Sequence, residues 1–224
     1  MKRNVNLSEI SDGHLYDSES LVRLGCNDCE GCWSCCQDMG TTVILDPLDI
    51  YHLTSNLKMT FEQLLAAGAI ELNVVDGVIL PNLKMSGPDE RCGFLSSEGR
   101  CRIHEFRPGI CRLFPLGRYY EDHSFKYFLQ VHECKKENRS KIKVKKWLGI
   151  TDLKKYEKFV TQWHYFLNAA EQAVQKCGEH EQAKQINLFI LNLFYLTAFD
   201  NTRDFYAQFD LRKEQGDAFI NRIL

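Results

Sequence analysis

Five thiols fall within eleven residues in the run Cys26-Asn27-Asp28-Cys29-Glu30-Gly31-Cys32-Trp33-Ser34-Cys35-Cys36. Packing gives no reason for that density, whereas coordination of a soft metal does. A C-x-x-C pair aims two sulfurs at one ion from a tight turn, and thiolates select zinc, copper(I) or iron–sulfur clusters over hard cations. Two registers coexist here. Cys29, Cys32, Cys35 and Cys36 spell C-x2-C-x2-C-C, while Cys26, Cys29, Cys32 and Cys36 spell C-x2-C-x2-C-x3-C. The second is the bacterial ferredoxin spacing without its closing proline, since Gln37 follows Cys36. The pattern points to a metal and leaves its identity open.

A second cysteine group lies downstream. Cys92 and Cys101 flank a Ser-Ser-Glu-Gly-Arg loop, Cys111 sits between Pro108 and Pro115, and Cys134 follows. The prolines fix backbone angles around Cys111, a stiffening that suits a ligand. Four thiolates on zinc, or on an oxidised 4Fe-4S core, leave a net charge of about −2 that needs compensation if buried. Six arginines are available for it, Arg91, Arg100, Arg102, Arg107, Arg112 and Arg118, with no lysine between residues 85 and 125. Guanidinium keeps its proton and offers five donors, so it can hydrogen-bond sulfurs or brace ligand loops. Arg107 and Arg112, beside the Cys111 turn, are the candidates for cofactor binding. His104, His123 and His132 read as partners or surface groups, because thiols already fill two four-coordinate sites. Cys177 stands apart and reads as a core or surface thiol.

Composition narrows the class. With 224 residues, 44% apolar content and a net charge of −2, the chain is an ordinary globular protein of one or two domains. No global field points to nucleic acid or a membrane. The opening Met1-Lys2-Arg3 has no apolar stretch after it, so no signal peptide is expected and the cytoplasm is the expected compartment. A reducing compartment keeps thiols free, which turns ten cysteines into metal ligands rather than disulfides.

The elements that must position these groups read as α+β: a small cysteine-rich metal-binding domain of short strands and helices, packed on a C-terminal helical half. Residues 1–22 show no firm period and read as an N-terminal arm. Residues 23–146 form the cysteine-cluster domain and 147–224 the helical region. Thr41–Leu45 predicts a strand, and Asp46-Pro47 an N-cap with proline in the first turn. Thr60 with Gln63 predicts a capping box, and Asp76-Gly77 a two-residue type I′ hairpin. A second hairpin is expected from Tyr119-Tyr120 to Leu129. From Lys135 to Lys146 seven cations stand against Glu137 alone. With Ile142 and Val144 alternating among them, this run reads as the solvated face of a half-buried strand or linker. Leu153 to Val174 holds helical spacing, with Thr151 or Asp152 as cap and Gly178 past the end. Ile186–Phe199 reads as a buried helix too short to span a bilayer, and Phe205 to Ile220 as a helical tail.

The ordered motifs C-x2-C-x2-C-C, Cys92-x-x-Leu95, Cys101-x-Ile103 and Arg107-Pro108-x-x-Cys111-Arg112-x-Phe114-Pro115 together resemble the YkgJ-like cysteine-cluster family, a zinc- or iron-chelating domain, over residues 26–134. The resemblance implies Cys29, Cys32, Cys35, Cys36, Cys92, Cys101, Cys111 and Cys134 as metal ligands. Cys26 is additional and completes the ferredoxin-like register. The family includes flagellin lysine N-methylases, in which an iron–sulfur cluster is implicated in methyl transfer from S-adenosylmethionine to protein lysine. The expected function is therefore metal binding, with a 4Fe-4S cluster favoured over zinc for redox or group-transfer chemistry. S-adenosylmethionine enters as a cofactor, and a protein as substrate or partner, only through the resemblance. The alternative is a zinc-stapled interaction module without catalysis.

Overall fold

Capping chemistry starts the helices where side chains offer it. Asp46 accepts the amide of Asp49 while Asp49 accepts that of Asp46, and Pro47, whose missing N–H costs nothing in a first turn, opens the helix Pro47–Leu57. Thr60 and Gln63 repeat the exchange ahead of the helix Phe61–Ala66. Asp204 caps Phe205–Ile220, the expected helical tail. The hairpin Ile70–Val75 with Val78–Leu83 turns on Asp76 (φ 51°) and Gly77 (φ 86°), the paired positive angles of a type I′ turn. Leu116–Glu121 and Ser124–Leu129 pair likewise across Asp122 (φ 46°) and His123 (φ 56°), without a glycine.

The computed structural model describes residues 6–29, 31–177 and 180–224, so the stop expected at Gly178 lies outside the described residues. The class is α+β, with strands joined as antiparallel two-stranded ribbons. By compactness the chain forms two units, each built from two segments: Lys2–Gly40 with Met85–Thr161, and Thr41–Lys84 with Gln162–Leu224. The linear boundaries expected at 22/23 and 146/147 fall inside the strand Leu21–Gly25 and the helix Val144–Leu148.

The first unit carries both cysteine groups. Its core joins Val22, Leu24, Leu113, Leu116, Tyr127, Leu129, Val144 and Leu148. The described part of the N-terminal segment is tied in by main-chain pairing. Tyr16 and Tyr127 exchange main-chain hydrogen bonds of 2.7 and 2.9 Å, Ser11 bridges Gln130, and Leu21–Gly25 pairs with Ser140–Lys143. Main-chain pairing leaves no hydrophobic period in such short segments, which explains the missing signal. The lysine-rich run does form a strand, with Val22 opposite Ile142 on its inner face.

In the second unit, Trp163 packs edge-on to Phe194 at 4.9 Å and stacked on Phe166 at 5.5 Å. Buried Asn187 accepts the amide of Ile79 at 2.6 Å and donates to the carbonyl of Gly77 at 3.1 Å, pinning the first hairpin. Thr41–Leu45 makes only a bridge, Ile44 to Asn82. The helix expected over Ile186–Phe199 instead spans His180–Leu191 and passes into a π-helical turn, Asn192–Leu196, with Leu188 and Leu196 exposed. The polar stretch Glu181–Gln185 is itself helix-forming, so the helix begins before the apolar residues do. Arg212 donates to the carbonyls of Leu193, Thr197 and Ala198, satisfying the groups that end this turn. The helix Leu153–Lys176 supplies residues to both units. No helix among the described residues is long and apolar enough to cross a membrane.

Candidate metal centre

Tight turns set the sulfurs of the first run. Strand Leu21–Gly25 ends directly before Cys26, and a 3-10 turn over Asn27–Cys29 follows, with Asn27 at φ 50° and Cys29 at φ 59°. The Cys32 amide donates to the Cys29 carbonyl at 3.0 Å, and the Cys36 amide to that of Trp33 at 2.8 Å as Ser34–Cys36 makes a second turn. These reversals bring the sulfurs of Cys26 and Cys29 to 3.5 Å. Glu30, within the run, lies outside the described residues.

Two devices fold the second group onto the first, and a third closes its own loop. Gln37, next to Cys36, bridges Arg91, next to Cys92, and the Asp38 amide donates to the Glu90 carbonyl at 3.1 Å. Leu95 bridges Cys101, and Arg102 donates to the Gly93 carbonyl at 2.5 Å, closing the loop that carries Cys92 and Cys101. Trp33 lies over the tip of that loop, where a Cβ added to Gly99 would fall 2.5 Å from the indole. Cys111 is presented by the short helix Gly109–Leu113.

Hydrogen bonds join Cys26 to Cys29 and Cys35 to Cys36, and longer-range electrostatic interaction links these to further thiols: Cys29 and Cys101 with Cys35, Cys36 with Cys111 and Cys92, and Cys92 with Cys101, a linked set of seven. Cys32 contacts the Ser34 hydroxyl at 3.7 Å, and Cys134 sits half-buried beyond the strand Ser124–Leu129; neither enters the linked set. Cys177 belongs to the other unit. None of the ten cysteines is in a disulfide, and among the described residues no three His, Cys, Asp or Glu side chains converge on a point that would hold an ion.

Burial pushes the Cys29 thiol up to about 12, with the hydrogen bond to Cys26 adding and Arg107 opposing. Burial also raises Cys92 and Cys101. The hydrogen bond between the vicinal pair holds Cys35 down at about 7, with Arg107 acting in the same direction, and drives Cys36 well above the ordinary thiol range. Cys35 therefore gives up its proton more readily than an ordinary thiol, whereas Cys29, Cys36, Cys92 and Cys101 resist ionising. A cation among them reverses that, since coordination deprotonates a thiol and releases its proton.

Arg107 acts on three of these thiols, Cys29, Cys35 and Cys101. Its Nη1 meets His104 Nε2 at 2.7 Å, while its Nε is buried with no hydrogen-bond partner among the described residues. An orphaned donor beside thiols fits an anionic metal–thiolate centre. His104, engaged through Nε2, is placed as a partner of Arg107. Arg112 donates to the carbonyls of Glu105 and, at 3.2 Å, Arg107, so it braces the loop that carries Arg107. Trp33, Gly99 and the Gln37–Arg91 bridge are the parts that sequence reasoning missed. Only the glycine in a polar loop gave a signal, as a turn.

An α+β chain whose thiols gather from two separated segments is, as a class, a cysteine-cluster metal-binding protein. It belongs to the CxxCxxCC family, "Putative zinc- or iron-chelating domain", whose family model matches residues 28–186, more than half of the chain. That span starts just after Cys26. No curated protein and no solved structure matched the chain.

Proposed function

We propose that this protein carries a 4Fe-4S cluster on thiols of the linked set and uses it in redox or group-transfer chemistry. The observation that carries the reading is the first cysteine run itself: the spacing C-x2-C-x2-C-x3-C over Cys26, Cys29, Cys32 and Cys36, with Cys35 vicinal to Cys36, is that of a cluster-binding segment, whereas zinc ribbons keep their cysteine pairs in separate knuckles. When bound, such a cluster supplies an electron or a Lewis-acidic iron. The chain's own contribution is to hold the thiols in a half-buried setting and to place Arg107 beside them, where a positive charge and an unpaired donor tune the cluster's potential. The use of S-adenosylmethionine and the methylation of protein lysine rest on the family resemblance alone.

Zinc is the second reading, favoured by one distance. Tetrahedral Zn–S bonds of about 2.3 Å place sulfurs about 3.8 Å apart, and Cys26 and Cys29 stand at 3.5 Å. Purification without air, followed by iron, sulfide and zinc quantification and electron paramagnetic resonance, separates the two. Brown protein with matching iron and acid-labile sulfide is the expected result. Colourless protein with stoichiometric zinc replaces this function by the structural staple.

A further inference from the structure

The ribbon made by Leu21–Gly25 and Ser140–Lys143 has two unlike faces. Val22 and Ile142, directly opposite, turn to the core, so Leu21 with Lys143 and Arg23 with Lys141 form the outer face. Arg23 and Lys141 are exposed and directly opposed. Like charges at opposed cross-strand positions destabilise a ribbon, so this pair works against the fold that presents it. Elsewhere on the same ribbon the fold does neutralise charge: Glu19 takes Lys143 at 2.9 Å and Lys145 at 2.7 Å. Neither Arg23 nor Lys141 has an ion-pair partner among the described residues. Arg139 and exposed Lys146 add to the excess, which is local in a chain of net charge −2.

We infer that the outer face of this ribbon docks an acidic segment of a partner protein, whose carboxylates fall between Arg23 and Lys141 and supply the counter-charge the fold withholds. Two features favour a polypeptide over a nucleic acid. Leu21, 58% exposed, stands at the end of the patch opposite Lys143 and offers an apolar contact that a phosphate backbone does not use. The cationic excess is also confined to this ribbon in a chain with no net positive charge, a footprint that suits a short acidic segment rather than a long polyphosphate. The ribbon lies in the same compact unit as the cysteine cluster, and strand Leu21–Gly25 runs directly into Cys26, so a partner held there is held beside the candidate metal centre.

The test uses full-length, metal-loaded protein and a fluorescein-labelled peptide of alternating glutamate and leucine, with a glutamine–leucine peptide and a single-stranded oligonucleotide of equal charge as comparators. The glutamate peptide binds the wild type, and raised salt weakens it. K141E turns the opposed pair into an attractive one. It raises the melting temperature by about 1–3 °C while weakening the peptide, an opposite movement that loss of structure does not produce. R23E/K141E weakens the peptide at least tenfold with metal content unchanged. Equal binding by R23E/K141E, equal binding of the glutamine peptide, or tighter binding of the oligonucleotide each overturns the proposal.

Discussion

Trp33 lies so close over Gly99 that a Cβ on that glycine would fall 2.5 Å from the indole, and Gly99 sits at φ +76°. One contact thus locks the first cysteine run to the loop between Cys92 and Cys101. Gly99→Ala meets both a steric and a backbone penalty, together about 1–3 kcal/mol. The expected outcome is a lower melting temperature, a shift in tryptophan emission, and reduced metal per protein after purification. Trp33→Ala removes the lock without the strain, so it costs metal retention more than stability.

The linked thiols predict an unequal response to serine substitution. Cys35 is hydrogen-bonded to Cys36 and acts electrostatically on Cys29 and Cys101, and Cys111 acts on Cys36 from a separate helix. Metal binding and folding are coupled at sites of this kind, so Cys35→Ser and Cys111→Ser lose metal and cooperative unfolding together. Cys177→Ser, in the other compact unit, leaves metal content unchanged. Metal analysis beside thermal unfolding of the three variants checks the assignment.

The parts legible from sequence were those written in local chemistry. The Asp46 and Thr60 caps, the Asp76-Gly77 turn and the helical spacing from Leu153 to Val174 each act within a few residues, and each is found where its chemistry places it. Cysteine spacing likewise marked two groups of thiols, which lie in one compact unit. What the sequence could not carry is pairing between distant main chains. Tyr16 with Tyr127, Leu21–Gly25 with Ser140–Lys143, and Gln37 with Arg91 are joined by backbone bonds that put no constraint on side-chain type. The division into units follows from the same pairings, because residues 2–40 return to residues 85–161 and leave 41–84 to the second unit.

Acid should loosen the ribbon through Glu19. Its carboxyl, hydrogen-bonded by Lys145 and Lys143, is held down at about 2, against an ordinary 4.5. A group depressed on folding stabilises above its unfolded value, so the tie is intact above about pH 4.5 and is lost as pH falls toward 2. The carboxylate is exposed, so salt screens the effect and its size is small. Glu19→Gln should flatten the pH dependence of stability between those values, measured by denaturant unfolding at low ionic strength, and leave stability below pH 2 unchanged.

Arg107 and Arg112 are five residues apart and should fail differently. Arg112 donates to the carbonyls of Glu105 and Arg107, so its loss leaves two acceptors without their donor and loosens the loop. Arg112→Ala should cost about 1 kcal/mol of stability and lower metal content as a consequence. Arg107 instead acts on Cys29, Cys35 and Cys101 through its charge. Arg107→Gln keeps hydrogen-bonding capacity but removes that charge, so metal is retained and a bound cluster becomes harder to reduce, with a more negative midpoint potential. Arg107→Lys restores the charge without the planar fork and should recover part of the potential. Potentiometric titration followed by electron paramagnetic resonance, with unfolding curves for all three variants, distinguishes an electrostatic partner of the thiols from a brace of their loop. An unchanged potential in Arg107→Gln would remove Arg107 from the site.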